Sequence, residues 1–207
     1  MKDSVVILGA GGHAKVVIEL FRAVDDLEIV GCTTGSGFGR TVCGVPVIGP
    51  DAVLPGLRAD GVRYAFVATG DNALRERLGA AVLAMGFELP NAISPSAVIS
   101  PSVVLGKGIA IMGGVVINAE SRVGDLTIAN TNSSIDHDCR IGRAVHIAPG
   151  CALAGNVTVG DRSFLGVGVC VIPDVTIGAD VILGAGSVVV RDLPNGARAI
   201  GVPARVR

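Results

Sequence analysis

Aromatic residues make up only 3% of this 207-residue chain, with no tryptophan and a single tyrosine. A core without large rings is assembled from Val, Ile, Leu, Ala and smaller residues, which suits a thin, regular interior. An excess of one sign of charge is missing as well. A formal net charge of −1, with no Lys/Arg cluster, leaves no basic footprint for nucleic acid or for an anionic membrane surface. No apolar run approaches the roughly 18 residues of a membrane span. The N-terminus lacks the basic region and unbroken apolar stretch of a signal peptide, because Gly9 to Lys15 interrupts the first run. A cytoplasmic protein without nucleic-acid or membrane partners is expected. The five cysteines, Cys32, Cys43, Cys139, Cys151 and Cys170, are odd in number and form no C-x-x-C pair. They read as reduced thiols, not as disulfides or thiolate metal ligands.

What the chain does have is a period. Stepping by six from Ile93 gives Ile99, Leu105, Ile111, Ile117, Val123, Ala129, Ile135, Ile141, Ile147, Leu153 and onward to Val189, and sixteen of these seventeen positions are Ile, Leu or Val. The fifth place of each hexad is small or branched, as at Val115, Ser121, Thr127, Cys139, Val145 and Cys151, and the second is often glycine, as at Gly124 and Gly142. Six fits neither a helix nor simple strand alternation. It fits a coil with three flat faces, in which three hexads make one turn and successive turns stack about 4.8 Å apart as parallel strands. Between five and six turns are expected from Ile93 to Val189. Cys139 and Cys151 are then inward fillers, whereas Cys170 falls at the sixth place.

Residues 1–90 read differently, as a small Rossmann-like α/β unit. Strands are expected at Ser4 to Leu8, Glu28 to Cys32, Val45 to Ile48 and Tyr64 to Ala68. Helices are expected at Gly12 to Val24, Pro50 to Leu57 and Asn72 to Met85. In "VVILGAGGHAKVV", residues 5–17, Gly9, Gly11 and Ala14 satisfy the relaxed G-x-G-x-x-G/A pattern that aims a helix N-terminus at phosphate. A dinucleotide site also needs an acid about 20 residues further on. That place reads "GCTTG", with Thr33 and Thr34, and His13 crowds the turn, so specific NAD binding is not expected. "ATGDNALRERL" carries a second polar turn, Gly70 to Asn72; its plain reading is a helix cap by Asp71 or Asn72 followed by a solvated Arg75.

Three histidines narrow the search for a base. His137, in "IDHDC", takes the third place of its hexad and points outward between Asp136 and Asp138, which raise imidazole basicity and fix its orientation. His146 takes a sixth place. Gly155 follows His137 by eighteen residues, one full turn, and stacks beside it. Corners at Ala154–Gly155 and Gly166 to Gly168 expose backbone N–H groups that suit an oxyanion. The plain reading of the tail "AIGVPARVR" is a proline-stiffened terminus that covers the open end of the coil.

The hexads, "GAGGHAK", "ATGDN" and "IDHDC" together resemble the hexapeptide-repeat acyltransferases, in the branch of the bacillosamine, perosamine and sialic acid acetyltransferases, from end to end of the chain. The resemblance implies a left-handed parallel β-helix over 91–207 and a nucleotide-sugar-binding unit over 1–90. It implies that Gly11, Gly12, His13, Gly70, Asp71 and Asn72 contact the substrate. Thr33 stands where the family often carries an acid that contacts the base. His137 is implied as general base, tuned by Asp138, where the family commonly has Glu. His146, Gly155, Gly166, Gly168 and Pro203 are implied to hold acetyl-CoA, and three chains are implied to share sites in the grooves between them. The expected reaction moves acetyl from acetyl-CoA to an amino group, at C4, of a nucleotide-activated amino sugar, without metal. O-acetylation of sialic acid or a related sugar is the alternative. A γ-type carbonic anhydrase needs three metal-binding histidines where this coil has two, and a non-catalytic coil leaves the first unit without a task.

Overall fold

An unbroken apolar strand, Val5 to Leu8, is what a parallel sheet covered on both faces requires, and these residues sit at the centre of the first unit. The computed structural model describes residues 2–207, and the chain divides into two compact units, Met1–Ile93 and Ser94–Arg207. In the first, β1 (Asp3–Leu8) is followed by α1 (Gly12–Val24), β2 (Leu27–Thr33), β3 (Thr41–Val42), β4 (Val45–Gly49), α2 (Leu54–Ala59), β5 (Tyr64–Val67) and α3 (Asn72–Ala84). The sheet order is β3-β4-β2-β1-β5, parallel except for β3 against β4. Helix α1 buries Ala14, Val17, Ile18 and Phe21, the i, i+3, i+4, i+7 stripe of a helix laid on a sheet. The helix expected from Pro50 begins as a 3₁₀ turn, Asp51–Val53, before α2.

One element was not expected. β3 and β4 form a hairpin closed by Cys43 (φ 47°) and Gly44 (φ 78°). Both central residues take the left-handed conformation that suits strand twist, but the pair lacks the Asn-Gly or Asp-Gly signature that marks such turns in sequence.

The second unit is the three-faced coil. Its strands are two residues long and pair in parallel with the strand eighteen residues on, as Ser134–Ile135 does with Val116–Ile117 and Ala152–Leu153. First-place residues such as Ile117, Ile135, Ile147 and Leu183 are fully buried. The fifth-place hydroxyls bridge turns. Ser121 Oγ donates to the Asp136 carbonyl (2.6 Å) and accepts from the Cys139 N–H (3.0 Å), and Thr127 and Ser163 repeat the pattern. Cys139 and Cys151 are inward fillers whose thiols donate to the carbonyls of Ala154 and Gly166, and burial raises both above the usual thiol range. Cys170 is exposed.

Left-handed corners fall at the fourth place, occupied by Glu120, Asn132, Asp138, Asn156 and Asp174 among others. Second-place glycines answer a different need. A Cβ on Gly124 would lie 2.7 Å from the carbonyl carbon of Gly142 in the next turn. The tail closes the coil: Arg198–Ile200 extends one face beside Ile182–Leu183, Arg205–Val206 folds back on it, and Ala204 N–H donates to the Val188 carbonyl. Pro203 lies in this turn and is exposed. Among the described residues, no helix is long and apolar enough to cross a membrane.

Candidate active site

The corner after strand Ser134–Ile135 builds the catalytic candidate. Asp138, at φ 60°, turns its carboxylate back so that Oδ2 lies 2.8 Å from His137 Nδ1. The shorter arm of Asp therefore suffices where the resemblance implies Glu. Asp136 Oδ1 accepts from the His137 backbone N–H (2.8 Å) and from Asn118 Nδ2 (2.9 Å), and these two bonds, the Asn118 one first, hold its carboxyl below the usual range. The His137 imidazole is raised above its ordinary pKa, first by the Asp138 hydrogen bond, which outweighs desolvation, with the charges of Asp136, Asp138 and Asp174 adding to the rise. With Nδ1 engaged by a carboxylate, the proton of the neutral ring resides there and Nε2 is left as the acceptor.

Gly155 stacks against this ring as its spacing predicts. A Cβ there would stand 2.5 Å from His137 Cε1 and 2.6 Å from Nε2, so only glycine leaves the imidazole in place. Third-place N–H groups fall outside the strand ladder: some are taken by side chains, Lys107 by Asp125, His137 by Asp136 and Arg143 by Asp161, and others, such as those of Ala119 and Val167, have no acceptor among the described residues. Gly155 holds a third place, and among the described residues no acceptor takes its N–H. Gly166 and Gly168 differ. Their N–H groups donate to the carbonyls of Leu183 (3.0 Å) and Pro149 (3.0 Å), so the expectation that both offer free donors is corrected: the coil has used them.

His146 lies on the third face. Its Nε2 is 3.2 Å from Asn130 Nδ2, and its ring meets Phe164 edge to face at 5.3 Å. His137 sits at the corner between the Ser134–Ile135 and Arg140–Ile141 faces, whereas His146–Ile147 forms the face across the coil. One chain does not bring the two histidines together.

A second concavity, of about 320 Å³, opens at the carboxyl ends of β1, β2, β4 and β5 and is lined by Gly11, Gly12, His13, Thr33, Asp51 and Gly70 among others. This is where open α/β sheets bind ligands. Gly9 (φ 119°) must be glycine, since a Cβ would lie 2.6 Å from the Ala68 carbonyl oxygen. Gly11 and Gly12 face open space, and the α1 N-terminus carries no side-chain cap. Arg40 arches over the turn, with Nη2 3.4 Å from the Ala10 carbonyl. The neighbouring turn is structural: Asp71 caps α3 by accepting from Leu74 N–H (2.8 Å), and Asn72 Oδ1 accepts from Arg75 (2.8 Å). Arg75 is not solvated as its plain reading had it. It is 1% exposed, lowered to about 10 by burial, and donates to the Thr69 carbonyl. Asp51 escaped the sequence reading because its carboxylate arrives from a different strand than the pattern prescribes.

Residues 4–82 match the family model of the PglD N-terminal domain, and residues 156–191 match that of the bacterial transferase hexapeptide (six repeats). A perosamine N-acetyltransferase, PerB from Caulobacter crescentus, solved with CoA and GDP-perosamine, is 57% identical at TM-score 0.95, covering 99% of this chain and 97% of that one. The chain belongs to the hexapeptide-repeat sugar acetyltransferases. Within that family it is also similar to the acetyltransferase domain of PglB from Neisseria gonorrhoeae FA1090, solved with acetyl coenzyme A, at 38% identity and TM-score 0.94 over all of both chains. A GDP-perosamine N-acetyltransferase of Escherichia coli O157:H7 is 32% identical over 130 residues, 62% of this chain and 57% of that enzyme. The match thus spans little more than half the length of that relative.

Proposed function

We propose that this chain transfers acetyl from acetyl-CoA to the C4 amino group of a nucleotide-linked amino sugar. The observation that carries the proposal is the His137–Asp138 pair, with Nε2 open beside Gly155. Relatives solved with CoA and GDP-perosamine, including two with a single histidine replaced, support an amine acceptor and histidine chemistry. His137 Nε2 takes a proton from the acceptor nitrogen as that nitrogen attacks the thioester carbonyl. The Gly155 N–H donates to the oxyanion as it forms. Collapse breaks the C–S bond, the His137 proton passes to the departing sulfur, and amide and free CoA result.

The coil also supports a trimer. Outward residues on one face are Val98, Val116, Ser134, Ala152, Cys170 and Val188, without a charge, whereas a second face carries Arg122 and Arg140. The third presents His146, Phe164 and Ile182. Packing the uncharged face of one coil on the third face of the next makes a head-to-tail contact that closes as a ring of three. It sets His137 of one chain at the edge facing His146 of its neighbour, which holds the CoA arm together with the open corner at Gly168 and the turn at Pro203. Gly11, Gly12, His13 and Gly70 hold the nucleotide, with Thr33 beneath the pocket and Asp71 and Asn72 shaping the turn at Gly70. The reaction belongs in the cytoplasm with its activated substrates.

Acetyl-CoA turnover against GDP-, UDP- and dTDP-linked 4-amino sugars, with free sialic acid alongside, tests the reading. Turnover with a nucleotide-linked amine is expected; turnover with sialic acid alone contradicts it.

A further inference from the structure

The first unit lacks an acid at the end of β2, and the structure puts one there from elsewhere. Thr33, the last residue of β2, is fully buried, and its Oγ1 donates to Asp51 Oδ1 at 2.6 Å. Asp51 follows β4, the strand beside β2, and its carboxylate lines the cavity that Gly11 and Gly12 also line. The threonine spends its only proton on Oδ1, which fixes the carboxylate and leaves Oδ2 to accept from a ligand. Thr33 is also tied to the glycine turn, since the Gly9 N–H donates to the Thr33 carbonyl at 2.9 Å. Asp51 and the uncapped α1 N-terminus, a place suited to a diphosphate, therefore line one cavity. In a nucleotide the unit bonded to the diphosphate is the pentose; the base lies further out.

We infer that Asp51 is the pentose-reading carboxylate of this pocket, with Oδ2 accepting from the 2′-hydroxyl of a ribonucleotide and Thr33 acting as its positioning residue. The inference rests on the nucleotide-sugar reading and narrows it to ribonucleoside-diphosphate sugars, because a deoxythymidine-linked sugar has no 2′-hydroxyl to donate. Thr33 and Asp51 together do the work of the single acid that a dinucleotide fold carries at its second strand.

Calorimetric titration of the full-length protein with GDP, UDP and their 2′-deoxy counterparts tests this. A hydrogen bond to a charged acceptor corresponds to about tenfold in affinity. The wild type is expected to bind the ribonucleotide about tenfold tighter than its deoxy form. Asp51→Asn keeps an acceptor for Thr33 and should bring the two within about twofold of each other; Thr33→Val should fall between. Equal wild-type affinity for GDP and 2′-deoxy-GDP overturns the assignment of Asp51, whatever the variants do, and leaves the nucleotide-sugar reading standing. A ribose preference undiminished in Asp51→Asn overturns it equally. Binding of none of the four defeats both.

Discussion

At the scale of single residues, catalysis turns on how three residues around His137 divide their tasks. Asp138 holds Nδ1, Asp136 holds the backbone, and Gly155 gives the ring room. Because the folded imidazole is raised chiefly by Asp138, the pH profile has a defined sign. The protonated ring accepts no proton, so kcat/KM falls as pH drops through the raised pKa. Removing the charge in Asp138→Asn lowers that pKa, moves the acid limb to lower pH, and weakens the base, so the plateau rate falls too. An acid limb that stays in place in Asp138→Asn assigns it to another group, such as the acceptor amine. Gly155→Ala drives a methyl into the ring and displaces it; a loss of kcat of about 10²-fold is expected, with circular dichroism and melting temperature close to wild type. Unchanged kcat would mean that the ring position does not matter.

At the scale of elements, Arg75 is the residue whose role the sequence concealed. Its guanidinium lies inside the first unit and ties the Thr69 carbonyl to the first turn of α3. Arg75→Ala removes these bonds and leaves their half-buried acceptors unpaired, at a cost of about 1–3 kcal/mol; chemical denaturation should show that loss, and a loss below about 0.5 kcal/mol would show the site to be wet. The legible parts are those with a long period or a strong cap. The hexads fix the register of every coil strand, and α1 and α3 appear where apolar spacing and "GDN" place them. Hidden parts depend on contacts between segments distant in sequence. The hairpin turn at Cys43–Gly44 has no signature pair, Arg75 looks like any polar helix residue, and Asp51 reaches the end of β2 only because β4 lies next to it. Gly166 and Gly168 mislead for the converse reason: glycine in a corner suggests a free amide, but the amides are spent on neighbouring turns.

At the scale of the whole molecule, the two histidines lie on different sides of one coil, and the proposed trimer is the arrangement that would bring them to one site. Light scattering should give about three times 20.8 kDa. Ala152→Arg, placing a charge in the middle of the uncharged face, should yield smaller species with little activity; a fully active monomer contradicts the shared site. His146→Ala should raise KM for acetyl-CoA more than it lowers kcat. The most direct test of the central claim is single-turnover and steady-state acetyl transfer by His137→Ala, with acetyl-CoA and a saturating nucleotide-linked 4-amino sugar. If Nε2 removes the amine proton, kcat falls by about 10²- to 10⁴-fold, while acetyl-CoA affinity and the trimer are unchanged. Near-wild-type turnover by the folded His137→Ala trimer would contradict the account and leave substrate positioning as the source of the rate.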